Sequence, residues 1–120
     1  MIEYTVETSL HLLQVRVSDS VTFLDLVNFI TKVQKDPQYG PNVNTLFVVD
    51  ANAILVRFAP DSLSTLFRRV EDSGGSSSWA FVVSEESHRS VFTDALQHFV
   101  PRRLRLCVFD DELTALQWLR

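Results

Sequence analysis

Apolar and polar positions alternate over the first residues, Ile2, Tyr4 and Val6 against Glu3, Thr5 and Glu7. That is the period-two pattern of a strand with one wet face. Leu13, Val15 and Val17 repeat it against Gln14, Arg16 and Ser18. Only Thr8 to Leu10 lie between the two runs, which predicts an antiparallel hairpin. The period then lengthens. From Val21 to Lys35, Phe23, Leu26, Val27, Ile30 and Val33 fall on one helical stripe. Asp19 or Ser20 is placed to cap that helix, and Pro37, Gly40 and Pro41 end it in a turn-rich loop.

Thr45 to Val49 is a continuous apolar run, the mark of a strand covered on both faces. After Asp50, Ala51 and Asn52 a second apolar stretch runs from Ala53 to Phe58. Pro60 and Asp61 open a helix with Leu63, Leu66, Phe67 and Val70 on one face. Ser73-Gly74-Gly75-Ser76-Ser77-Ser78 is a short flexible connector. Trp79 to Val83 predicts another buried strand. Ser84 then caps a helix carrying His88, Val91, Phe92, Ala95, Leu96 and Phe99, ended by Pro101. Leu104, Leu106, Val108 and Phe109 make the last strand, and Asp110 or Asp111 caps a closing helix with Leu113, Leu116 and Leu119. The order predicts one α/β domain over residues 1–120, with a mixed, mostly parallel sheet, an antiparallel N-terminal edge strand and about four helices. Helices are expected on both faces of the sheet. Polar strand ends, Asp50 and Asn52 among them, are expected to share the carboxyl edge, where ligand crevices form in such sheets.

Composition narrows function by exclusion. With 46% hydrophobic and 22% charged residues in 120, the chain is an ordinary globular one. A net charge of −4 argues against nucleic acid as partner. The single cysteine, Cys107, excludes an intrachain disulfide and a multi-thiolate zinc site. An acidic, alternating N-terminus without a basic start and apolar run is no secretory signal. No apolar run approaches the roughly 20 residues of a membrane span. A cytoplasmic protein without an integral membrane segment is the expectation.

Searches for catalytic and cofactor patterns return little. Three glycines, of which only Gly74 and Gly75 are adjacent, supply neither a dinucleotide fingerprint nor a phosphate loop. No serine sits in a nucleophile elbow. His88 and His98, ten residues apart, lie about 80° from eclipsed on a helix and cannot readily share a metal. Asp110-Asp111-Glu112 reads as acidic residues opening a helix, with a cation site as the rival reading. Arg102, Arg103 and Arg105 read as a solvated strand entry, with an acidic partner's docking patch as the rival. Cys107 reads as an inert buried hydrophobe. No catalytic residue, metal or cofactor is therefore expected. Asp50 and Asn52 are turn formers at a rim where ligands bind. The segment Ala53 to Phe58 is too apolar for an ordinary connection. It is a short extra strand or buried turn, or else apolar surface for a partner subunit or a lipid-like ligand.

The tail Leu104-Arg105-Leu106-Cys107-Val108-Phe109-Asp110-Asp111-Glu112, followed by Ala115-Leu116-Gln117-Trp118-Leu119, resembles the SpoIIAA-like family, small bacterial domains related to the STAS (anti-sigma-factor antagonist) fold. Several members end in a strand with Phe, an acidic turn and an Ala-Leu-x-Trp-Leu helix. The resemblance implies four turns of β-α superhelix and a non-enzymatic binding role. Through the fold's likeness to CRAL-TRIO domains it also implies an apolar ligand as an alternative. True anti-sigma antagonists carry a phosphorylatable serine behind an aspartate after the central strand. Asp50 matches that aspartate, but Ala51-Asn52-Ala53 follows it. Ser62, behind Asp61, is the substitute, placed where a helix start stabilises added negative charge. The expectation is a regulatory module that binds a protein partner, a second copy of itself or both, through Asp50, Asn52, Ile54, Val56, Phe58 and Ser62. A carrier or sensor of a lipid-like apolar small molecule is the alternative.

Overall fold

The alternating first residues form β1 (Ile2–Glu7), which passes through a single 3-10 turn at Thr8–Leu10 and returns as β2 (Leu12–Val17). The two pair antiparallel from Ile2 opposite Val17 to Glu7 opposite Leu12. β3 (Ser20–Thr22), α1 (Phe23–Gln34), β4 (Asn44–Val49) and β5 (Ile54–Val56) follow, then α2 (Pro60–Asp72) and β6 (Ser77–Val83). α3 (Glu86–Gln97), β7 (Leu104–Phe109) and α4 (Glu112–Leu119) complete the order. The computed structural model describes residues 1–40, 42–73 and 77–120. Pro41 of the predicted loop and residues 74–76 of the predicted connector lie outside them, while Ser77 and Ser78 already belong to β6.

Two predicted helix caps are corrected. Val21 is 1% exposed and its backbone is extended, so α1 starts at Phe23 and its cap is Thr22, not Asp19 or Ser20. Thr22 and Asp25 form a reciprocal capping box, each side chain accepting the other's backbone N–H, and these bonds hold the Asp25 carboxyl below its ordinary pKa. α3 starts at Glu86 with Glu85 in the cap position and no side-chain cap bond, so Ser84 does not cap it. α4 begins as expected. Asp111 accepts the Thr114 N–H at 2.8 Å and the Thr114 hydroxyl at 3.0 Å, which lowers its carboxyl's pKa.

The main sheet has the order β1-β2-β4-β6-β7, with β1 antiparallel and the other four strands parallel. Each parallel strand lies beside the one before it. Right-handed crossovers of constant direction leave their helices on one face, and the core shows this. Leu13, Val15, Val17, Phe47, Val49, Phe81 and Val83 pack with the apolar faces of α1, α2 and α3 in one cluster. Phe81 is the hub, with ring centroids 5.5 Å from Phe47, 5.5 Å from Phe67 and 5.2 Å from Phe92. On the opposite face Leu12, Leu46, Val48, Ala80 and Val82 form a second cluster with Phe109 of β7 and with Ala115, Leu116, Trp118 and Leu119 of α4. Helices do lie on both faces, but the cover is unequal: α4, an eight-residue helix, is too short to shield Gln14 and Arg16, which stay exposed. Nor does the strand order reverse among the parallel strands, so the topological switch point that opens a crevice in doubly wound sheets is missing.

Candidate functional site

Beyond Val17 and Val49 the paired strands β2 and β4 continue as a second, two-stranded sheet. Asp50 N–H donates to the Val17 carbonyl at 2.9 Å and Ile54 N–H to the Asp19 carbonyl at 2.8 Å. β3 and β5 then pair in parallel from Ser20 opposite Ile54 to Thr22 opposite Val56. The apolar stretch Ala53 to Phe58 thus contains the short extra strand, and pleat alternation sorts its side chains. Val21 and Leu55 point inward and join the main core, as does Phe58, whose ring meets Phe23 edge-on at 5.9 Å. Ile54 turns outward and is 62% exposed, with half-buried Val56 two residues on. Asp19 and Arg57 bracket this flap with left-handed backbone, φ 57° and 64°. Asp tolerates that conformation; for Arg it is a strained one.

Of the predicted site residues, Ile54, Val56 and Phe58 belong to the flap, the first two on its outer side and Phe58 on its inner side. Asn52 is exposed in the turn between β4 and β5. Ser62 is half-buried in the first turn of α2, beside Asp61, which already supplies that turn with an acidic group. Asp50 turns to the α4 face, away from the others. There the Arg16 guanidinium donates to its Oδ1 and also stands 3.6 Å from Glu112. A polar depression of about 190 Å³ beside this ion pair is lined by Glu3, Thr5, Gln14, Arg16 and Glu112, among others. Further along the rim Arg89 bridges the Val83 carbonyl and Asp110. The carboxylates do gather at the carboxyl edge, but each of these three is matched by an arginine of the same rim. Among the described residues no group of three or more His, Cys, Asp or Glu is placed to hold a metal.

The strongest electrostatic feature lies at the other end of the sheet. Glu71, in the last turn of α2, is 2% exposed. Its Oε2 accepts the backbone N–H groups of Arg102, Arg103 and Leu104 at 2.7, 2.8 and 3.0 Å, and its Oε1 takes the Arg68 guanidinium. Burial raises the pKa of such a carboxyl. The three N–H donors and Arg68 outweigh it and hold the group down at about 2. Arg68 in turn donates to the Val100 carbonyl at 2.8 Å and lies 4.5 Å over the Phe99 ring. Sequence reasoning passed over Glu71, although a signal was present: it occupies the next position of the stripe Leu63, Leu66, Phe67, Val70.

The remaining candidates settle as follows. His88 is half-buried, and its Nδ1 has no hydrogen-bond partner among the described residues; His98 is exposed. Cys107 is half-buried on β7 rather than fully enclosed. Arg105 stacks 4.8 Å over Trp118. Arg102 and Arg103 are exposed. No described helix is long and apolar enough to cross a membrane. Compared with family models, curated proteins and solved structures, the chain matches none.

Proposed function

We propose that this chain is a non-catalytic regulatory module that binds a protein partner through the outer face of the β3–β5 flap. One observation carries the reading. Ile54 is a large aliphatic side chain on a two-stranded sheet whose inner side is already packed, and it is 62% exposed. Burying such a side chain is worth about 1.5–3 kcal/mol, and a partner that covers it recovers that stabilisation. Val56 and Thr22 widen the face, and Asn52 in the adjoining turn supplies polar donors and acceptors at its rim. The resemblance to SpoIIAA-like and STAS domains points the same way, towards regulation by binding from the region after the central strand. Ion pairing with Arg16 holds Asp50 in structural use, consistent with a site that recognises rather than reacts.

Partner capture from the source cells tests this, with Ile54→Glu and Val56→Glu as the variants. Phe58 is left intact, because its contact with Phe23 makes it structural. Captured protein is expected to fall at least about tenfold for Ile54→Glu, with melting unchanged, since exposed substitutions rarely move stability by more than about 0.5 kcal/mol. Undiminished capture by both variants would overturn the reading. The apolar-carrier alternative needs an enclosed pocket of roughly 300 Å³ or more. Among the described residues, the hollows of about 730 Å³ beside Met1, Tyr4, Asp25 and Lys32 and of about 310 Å³ beside Thr31, Gln34, Arg69 and Asp72 are open and rimmed by polar side chains. The interior one lined by Leu13, Phe29, Tyr39 and Trp79 is about 10 Å³, so size and enclosure do not coincide to favour the carrier over the partner.

A further inference from the structure

We infer that β7 pairs antiparallel with β7 of a second copy of this chain, joining two five-stranded sheets into one. This surface is separate from the flap, and its success or failure leaves the flap reading untouched.

β7 is an edge strand, with β6 on one side and, among the described residues, no strand on the other. An edge strand leaves the backbone N–H and C=O groups of alternate residues unpaired on its outer side, and proteins that stay monomeric guard such edges with charge. β1, the opposite edge, is guarded by Glu3 and Glu7. β7 is Leu-Arg-Leu-Cys-Val-Phe, with one charge, and that one is stacked on Trp118. From Leu106 to Phe109 its side chains are half-buried.

What lies at the two ends of β7 selects the occupant. Before it stand exposed Arg102 and Arg103, whose side chains have no ion-pair partner among the described residues. After it come exposed Asp110, Asp111 and Glu112, of which Asp110 also meets Arg89 and Glu112 stands 3.6 Å from Arg16 in surface pairs that leave their carboxylates open to solvent. One end of the strand is thus basic and the other acidic. An antiparallel partner of the same sequence sets basic end against acidic end twice, once on each side of the two-fold axis. Centring the pair on Cys107 places Arg105 opposite Phe109 of the partner subunit and continues the stack that already joins Phe109 to Trp118 at 5.5 Å. It also sets the two Cys107 residues face to face.

Sedimentation of the full chain between about 5 and 200 μM covers the range expected for so small an interface. The variants are Arg102→Glu with Arg103→Glu, and Asp110→Arg with Glu112→Arg; Asp111 is kept because it caps α4. The wild type is expected to show a monomer–dimer equilibrium. Each variant places like charge on like charge and should dissociate about 100-fold more readily. An equimolar mixture of the two variants should dimerise again, with the mixed mass visible by native mass spectrometry. A short bismaleimide should join wild-type copies through Cys107, the only cysteine. A monomeric wild type, or an Arg102→Glu, Arg103→Glu variant that dimerises like it, overturns the inference. Should the variants misfold, hydrogen exchange on the wild type decides: slowing of β7 amides with rising concentration supports the pairing, and concentration-independent exchange there refutes it.

Discussion

The two ends of the sheet are both tied by carboxylates, and they are tied differently. At the amino end one buried group, Glu71, collects three backbone N–H groups and a guanidinium, and so locks the last turn of α2 to the start of β7. At the carboxyl end several acidic groups share exposed arginines: Arg16 with Asp50 and Glu112, Arg89 with Asp110. The carboxyl end has more ion pairs but less energy in each. Water screens an exposed pair to a fraction of a kcal/mol, whereas removing one member of a buried cluster strands its partners without solvent. Burial, rather than the number of charges, sets the worth of each tie.

The largest effect that would test this contrast is Glu71→Ala, which leaves three N–H groups unmatched and takes from Arg68 its ion-pair partner. It should cost about 3–5 kcal/mol in urea unfolding; a loss no larger than that of a surface pair would erase the distinction. Acid titration of the wild type comes next. Because folding lowers the Glu71 carboxyl from 4.5 to about 2, the unfolded chain binds more protons within that window. The stability Glu71 contributes is complete above about pH 4.5 and is lost as pH falls towards 2, amounting to up to about 3 kcal/mol. Glu71→Gln should flatten that slope. At the opposite end, Asp111→Ala removes both bonds to Thr114, and melting should drop by roughly 4 °C, with Trp118 fluorescence shifting as α4 loosens. Arg16→Ala should be the smallest, within about 0.5 kcal/mol, and smaller still in high salt. A loss above about 2 kcal/mol there would show that the carboxyl rim is as strong a tie as Glu71.

Much of the architecture was legible where periodicity runs for several residues. The β1–β2 hairpin, the fully buried runs of β4 and β6 and the stripes of α1 to α3 are plain in the order of apolar residues. β3 was missed because its three residues contain one buried apolar side chain, Val21, too little for a period and directly ahead of a helix. The Thr22-x-x-Asp25 capping signature was present and overlooked in favour of Asp19 and Ser20. The unequal cover, α1 to α3 on one face against α4 on the other, was hidden for another reason. Buried strand runs record that both faces are apolar, and the constant crossover direction that stacks α1 to α3 together is a property of strand order. Glu71 and Arg16 lie further from local rules still. Glu71 takes its backbone donors from 31 to 33 residues downstream and Arg16 takes Asp50 from 34 residues away. At the flap, the sequence marked Ala53 to Phe58 as too apolar for an ordinary connection, and only the pairing of β5 with β3 decides that Ile54 turns out while Leu55 turns in.

The lopsided cover has a consequence for how the chain is made. Strands laid down in chain order let each βα unit dock on the one already in place as it leaves the ribosome, without waiting for distant residues. The far face gains nothing from this until the end, because among the described residues α4 is the helix that roofs Leu12, Leu46, Val48, Ala80 and Val82. A nascent chain halted before Glu112 would carry that greasy stripe bare to the cytosol or to any other compartment, a natural client for chaperones, and Trp118 and its neighbours act as the latch that ends the exposure.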